Sequence, residues 1–286
     1  MRRLALCLAL LAVALAAAPT VAHARVSAAA AALQVALRAT GHYHGTVDGI
    51  RGPGTRAAVR AFQRRRGLAV DGIAGPATRR ALGRRGRPRW GSRVIRRGAR
   101  GWDVAVLQFK LARHGFPSGG FDGGFGDRGD AALRRFQGWA RLGADGLAGP
   151  GTRRALRRRP PQSPLRFYRP IGIGIADRFG PREASFHTGV DFPASSGARV
   201  GAAGRGCVSF AGWDPGGYGN LVVIRHRLGM TTHYAHLSSI AVRSGQCVTG
   251  HDLIGRVGST GFSTGPHLHF ETRLRGAAVD PLRAFL

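Results

Sequence analysis

Glutamate is nearly missing from this 286-residue chain: Glu183 and Glu271 are the only two. That scarcity excludes the helical H-E-x-x-H arrangement, in which a glutamate serves as base beside two metal-binding histidines. Lysine is scarcer still. All but one of the 44 Lys+Arg residues are arginine, the exception being Lys110. Cysteine occurs three times, as Cys7, Cys207 and Cys247. None forms a C-x-x-C pair, so thiolate metal and redox motifs are excluded. Long apolar runs are limited to Leu4 to Ala18, which is short of the roughly 20 residues of a membrane span.

That run follows Met1-Arg2-Arg3 and precedes Ala22-His23-Ala24, an A-x-A cleavage site. The combination reads as a secretory signal peptide over residues 1–24 rather than a membrane anchor. The expected product is exported, soluble, free of the membrane after cleavage and monomeric. Export also bears on cysteine. Cys207 and Cys247 survive as an even pair in an oxidising compartment, so one disulfide between them is expected, with two buried free thiols as the alternative.

The net charge is +30 and uneven. Residues 25–159 hold 29 Lys+Arg against 7 Asp; residues 160–286 hold 13 against 7 Asp+Glu. A basic surface implies an anionic partner. For an exported chain that points away from nucleic acid and toward cell-wall material, anionic wall polymers included. The Ala-, Gly- and Arg-rich composition is also that of a GC-rich coding sequence, so charge alone names no ligand.

The first half is duplicated. Leu33-Gln34 recurs as Leu107-Gln108, Asp48-Gly49 as Asp122-Gly123, Phe62-Gln63 as Phe136-Gln137, Asp71-Gly72 as Asp145-Gly146 and Gly75-Pro76 as Gly149-Pro150, all at one offset. A register that never slips marks an internal repeat. Leu33 and Leu37, with Leu107 and Leu111, give one helical stripe; Ala58, Val59 and Phe62, with Ala132, Leu133 and Phe136, give a second. Asp-Gly pairs supply turns, and Gly-Pro-x-Thr opens a short last helix. Copy two departs where Gly129 replaces Thr55 and Arg141 replaces Gly67. On these positions each copy resembles the peptidoglycan-binding repeat of the PG_binding_1 type. The resemblance implies two three-helix modules, at 28–83 and 99–157, that bind bacterial peptidoglycan; structural spacers are the plainer reading. Residues 84–98 and the Arg/Pro-rich 158–166 read as linkers. His42, His44 and His114 have no partner spacing and read as loop or helix-end histidines.

Beyond Leu165 the helical stripes give way to short apolar runs broken by glycine: Val200 to Phe210, Asn220 to His226, Met230 to Leu237 and Leu253 to Val257. These are strands of an antiparallel sheet. Seven of the eleven histidines lie here. His267 and His269 are two apart, which in a strand sends both side chains to one face. Two surface histidines on an edge strand would share that spacing. His187-Thr188-Gly189-Val190-Asp191 adds an imidazole and a carboxylate across a glycine bend. His187, Asp191 and His269 together would give zinc three protein ligands and one open position, the pattern of a catalytic site. With no glutamate base available, the proton falls to histidine, either His267 or His236.

The ordered set Phe179-Gly180-x-Arg182, His187-x-x-x-Asp191, Gly217-Tyr218-Gly219-Asn220, Tyr234-x-His236-Leu237-Ser238, Gly258-Ser259-Thr260-Gly261, Gly265-Pro266-His267-Leu268-His269-Phe270-Glu271 and Asp280-Pro281 closely resembles the lysostaphin/LytM-type zinc metallopeptidases. The resemblance implies a zinc-dependent endopeptidase acting on the peptide bridges of peptidoglycan, over residues 167–286. It implies one zinc ion on His187, Asp191 and His269 at the floor of a substrate groove in an antiparallel sheet. His236 and His267 would activate water and stabilise the oxyanion, and Tyr218 and Asn220 would line the groove. Some members of this family have lost the zinc ligands and serve as regulators of wall hydrolysis, which is the alternative reading. His226 and His251 read as structural, and His233, of opposite strand parity to His236, should face away from the metal. Glu271 either orients His269 or forms a surface salt bridge. The whole is thus expected to be multidomain α and β: two small helical modules ahead of a mainly antiparallel-β domain, secreted or wall-associated.

Overall fold

A computed structural model describes residues 26–286; the signal peptide expected at 1–24 lies outside the described residues. Two three-helix units come first, α1 Ala28–Arg38, α2 Pro53–Arg65 and α3 Pro76–Ala81, then α4 Trp102–Arg113, α5 Asp127–Trp139 and α6 Pro150–Ala155. Proline opens α2, α3 and α6 at a position where its missing N–H is not needed.

The repeated Gln, Asp-Gly and Thr positions turn out to be one hydrogen-bond device used over and over. Gln63 Nε2 lies 2.6 Å from Asp71 Oδ1 and 3.1 Å from Thr78 Oγ1, and its Oε1 accepts from Gly72 N–H at 2.9 Å. Gln137 repeats this with Asp145, Thr152 and Gly146, and Gln34 with Asp48, Thr55 and Gly49. Each glutamine is buried, so the loop polar groups must be satisfied from within the protein. The glycine beside each Asp has φ between +72° and +75°, a conformation that costs a residue with a Cβ. Gly129 breaks the pattern for a packing reason. A Cβ there would stand 2.7 Å from the buried Phe125 ring, and with no threonine to meet it Gln108 Nε2 donates instead to Gly120 O at 3.3 Å.

The two units share a core. Leu33, Val35, Ala36 and Phe62 of the first pack with Trp102, Ala105, Val106, Phe109 and Ala112 of the second. The segment expected to be the first linker is packed: Ile95 is 1% exposed and pairs with Ala148, and Trp90 rests on both helical cores. Two irregularly spaced apolar anchors leave no periodicity to read in sequence.

Eleven strands follow: β1 Gly180–Arg182, β2 Ser185–His187, β3 Val190–Phe192, β4 Arg199–Gly201, β5 Gly206–Asp214, β6 Gly219–Arg225, β7 Met230–Ile240, β8 Cys247–Val248, β9 Leu253–Val257, β10 Leu268–Leu274 and β11 Ala277–Val279. The main sheet runs β11-β10-β7-β6-β5-β8, with β3 on β10 and β9 between β4 and β7. All its ladders are antiparallel. Its inner face is filled by Phe192, Val222, Ile224, Tyr234, Leu268 and Phe270. Cys207 and Cys247 face each other across β5 and β8 and are joined as a disulfide, so the free-thiol alternative is set aside.

The helical pair grips the β1–β2 hairpin. Val47 N–H donates to Glu183 O at 2.7 Å and Phe121 N–H to Ala184 O at 2.5 Å. Ala184 and Phe186 pack on the shared helical core. At the far side Ala278 N–H donates to Gly115 O at 3.1 Å and Trp139 Nε1–H to Leu274 O at 3.2 Å.

Candidate active site

Strand pairing brings three side chains to one point. β10 lies between β3 and β7, with His269 opposite Asp191 on one side and Ala235 on the other. His187 ends β2, and the Thr188-Gly189 bend carries the chain directly into β3. Gly189 is required for the close approach: a Cβ would fall 2.3 Å from Phe270 O and 3.0 Å from His269 Cε1. Asp191 Oδ1 lies 2.8 Å from His269 Nδ1 and 3.2 Å from His187 Nε2, and the two imidazole nitrogens are 3.1 Å apart. Among the described residues these are the only three whose donor atoms cluster closely enough to hold a metal ion.

The remaining nitrogens are committed. His187 Nδ1–H donates to Arg178 O at 3.0 Å and His269 Nε2–H to Glu271 Oε1 at 3.0 Å. Each ring therefore turns its free nitrogen to the shared point. Burial opposes charge on Asp191, but bonds from His187 and His269 outweigh it and hold the carboxyl well below its ordinary value. For His269 burial is likewise outweighed, by Asp191 and Glu271, which push the imidazole up to about 9. A proton thus binds the metal-free triad together, and a metal ion would compete with it.

Two further imidazoles face the same cleft, which measures about 790 Å³. His236 Nδ1–H donates to Thr260 O and His267 Nδ1–H to Gly265 O, both at 2.8 Å. Their rings are 4.7 Å apart, and His267 Nε2 is 3.8 Å from Asp191 Oδ1. Burial pushes the His236 imidazole below its ordinary value.

His236 has φ +61°, and the pairing of β7 with β9 slips a register just after it. This left-handed residue resets the alternation of β7 and corrects the expectation for His233. His233 stands opposite Glu271 on β10, beside Tyr218, on the same face as His269. Burial holds its pKa down to about 4. Tyr218 lines the cleft and donates its hydroxyl to Glu271. Asn220 does not line it. Its Nδ2 donates to Leu237 O at 3.0 Å and its N–H to Thr260 Oγ1, bracing the segment behind His236. Thr188 and Arg273, unmarked by the sequence reading, both reach Glu271; the signal for Arg273 was its shared strand parity with Glu271 and His269. His226 is structural, bonded to Arg205 O and Thr232 Oγ1, and His114 is a buried helix-end histidine.

Comparison with known proteins agrees with this geometry. Residues 185–281 match Peptidase family M23, and residues 27–82 and 100–156 each match the Putative peptidoglycan binding domain. The chain is 50% identical over 100 residues to the DD-carboxypeptidase/endopeptidase Mpg of Neisseria meningitidis, covering 35% of this chain and 23% of that protein. It is 37% identical over 143 residues to the peptidoglycan DD-endopeptidase ShyA of Vibrio cholerae (48% and 31%). It is 38% identical over 109 residues to the murein hydrolase activator NlpD of Salmonella typhimurium (38% and 28%). The chain thus spans less than a third of the length of these curated relatives. The β domain, with His187, Asp191 and His269 at the floor of its cleft, is thus a Peptidase family M23 domain that follows two putative peptidoglycan binding domains.

Proposed function

We propose that this protein is a secreted, zinc-dependent endopeptidase that hydrolyses peptide cross-links or stem peptides of bacterial peptidoglycan. Its helical modules at 28–83 and 99–157 hold the β domain, 167–286, on the wall. The observation that carries the reading is the convergence of three metal donors and two further histidines on one cleft. Zinc bonds to nitrogen and oxygen near 2.0–2.1 Å, which sets tetrahedral ligand atoms about 3.3 Å apart. His187 Nε2 stands 3.1 Å from His269 Nδ1 and 3.2 Å from Asp191 Oδ1, close to that spacing, while the 2.8 Å between His269 Nδ1 and Asp191 Oδ1 is a hydrogen bond that zinc would replace. When bound, zinc supplies Lewis acidity toward a peptide carbonyl and an attacking water.

The proton chemistry belongs to His236 and His267. With Nδ1–H tied to Thr260 O, His236 turns an Nε2 lone pair to the cleft. Its depressed pKa keeps it neutral and able to accept the proton of the attacking water. It returns that proton to the leaving amine. His267, held at Nδ1 by Gly265 O, turns its Nε2 to the cleft and is the second imidazole placed to stabilise the developing oxyanion. Tyr218 lines the wall of the substrate groove.

A second reading is a non-catalytic regulator with an idle zinc site, favoured by the similarity to a murein hydrolase activator. Release of new amino groups from purified peptidoglycan separates the two. It is measured for the full chain with zinc, with chelator and with His269→Ala. Zinc-dependent release that His269→Ala abolishes supports the peptidase. A zinc-loaded, wall-bound protein that releases nothing from several wall types supports the regulator.

A further inference from the structure

Glu271 is fully buried in the sheet, directly behind His269. A buried carboxylate is unfavourable unless every lone pair is met, and here four donors from three separate segments meet it. Oε1 accepts from His269 Nε2–H at 3.0 Å, from Tyr218 OH at 2.8 Å and from Thr188 Oγ1 at 2.5 Å. Oε2 accepts from Arg273 Nε–H at 2.5 Å, and Arg273 in turn donates to Tyr218 OH at 2.7 Å. Glu271 and Arg273 cancel in charge, so the pair adds none to the site.

We infer that Glu271 is a positioning residue for the metal centre. It fixes the His269 tautomer so that Nδ1 carries the lone pair, and through Thr188 it clasps the bend bearing His187 and Asp191 to the strand bearing His269. The inference rests on the zinc reading proposed above. A purely structural ion pair between Glu271 and Arg273, two apart on one strand, would need neither a hydroxyl from the His187–Asp191 bend nor an oxygen aimed at a ligand ring. Outer partners that donate to or accept from ligating imidazoles govern metal affinity in just this manner.

The separating variants are Glu271→Gln, which keeps size but halves the acceptor, and Thr188→Val, which is isosteric and removes only the clasp. The full chain is stripped of metal. Zinc affinity is read by competition with a chromophoric chelator, and ligand geometry by the visible spectrum of the cobalt(II)-substituted protein. Circular dichroism confirms the fold of each variant. Glu271→Gln is expected to weaken zinc binding by about 10–100-fold and to shift the cobalt bands. Thr188→Val should act in the same direction by a smaller factor. If the folded variants bind zinc within about twofold of the parent with unchanged cobalt spectra, Glu271 is only a buried structural acid. Should Glu271→Gln not fold, Thr188→Val decides alone. A parent protein that takes up no zinc overturns the metal reading itself, a result distinct from either.

Discussion

Replacing Gly189 by alanine tests how tightly the metal-binding bend is held. The added Cβ would sit 2.3 Å from Phe270 O, 2.9 Å from Glu271 Cγ and 3.0 Å from His269 Cε1. A carbon–oxygen contact needs about 3.3 Å, so the bend must retreat by about 1 Å. None of the three neighbours is the free end of a flexible chain, since Phe270 and Glu271 are wholly buried in β10. His187 and Asp191 lie two residues to either side of Gly189, whereas metal sites tolerate ligand errors of only about 0.2 Å. Zinc affinity should therefore fall by at least about 100-fold, or roughly 2.7 kcal/mol. The metal-free domain should lose about 1–3 kcal/mol to overpacking. Gly174→Ala is the control: no atom lies within 4 Å of its Cβ position, and both quantities should stay within about 0.5 kcal/mol. Chelator competition and thermal melting read the two effects. Gly189→Ala protein that binds zinc as tightly as the parent would show that the bend is not pinned against β10, and the reasoning would fail.

His236→Gln should leave zinc affinity unchanged and lower kcat by about 10²–10⁴-fold, measured as amino-group release; loss of zinc binding would instead make His236 part of the metal site. Because burial depresses the His236 pKa below 6.5, kcat/KM should hold through pH 6.5 and fall only at more acid pH. Replacing both cysteines by serine opens a loop whose ends are 40 residues apart, so urea unfolding should show a loss of about 4 kcal/mol, and a loss under 1 kcal/mol would discount the loop argument. His226, depressed by burial, favours the folded state fully above pH 6.5 and loses that contribution as the pH drops through its folded pKa. Melting temperatures should decline below pH 6.5, and His226→Gln should flatten that decline.

Sequence made the centre of the site legible because its determinants are local. His187 and Asp191 share a five-residue motif, and His267 and His269 share strand parity, so spacing alone juxtaposes them. His233 misled because one left-handed residue at position 236 reversed the alternation, and no side chain advertises a φ of +61°. The repeat was plain in the recurring glutamines, but not their task of satisfying an Asp-Gly loop from inside. Docking of the helical pair on the β1–β2 hairpin left no trace at all. Its bonds run between the backbones of Val47 and Glu183 and of Phe121 and Ala184, groups every residue carries. Asn220 stands two residues from Tyr218, a spacing that strand parity would put on one face, but Gly219 between them has φ +63° and breaks the alternation, so Asn220 serves the scaffold.

Duplicated segments usually remain dispensable, since either copy can be lost while the other persists. That freedom is gone here. Ala31, Ala32, Val35 and Ala36 of α1 lie against Trp102, Ala105, Phe109 and Ala112 of α4 in one shared interior. Deleting either copy would strip the cover from an apolar face of its sibling and leave a surface prone to self-association. What began as redundancy has hardened into mutual dependence. The two copies therefore form one folding unit, and a shortened chain that keeps a single repeat would need polar residues on the flank it exposes.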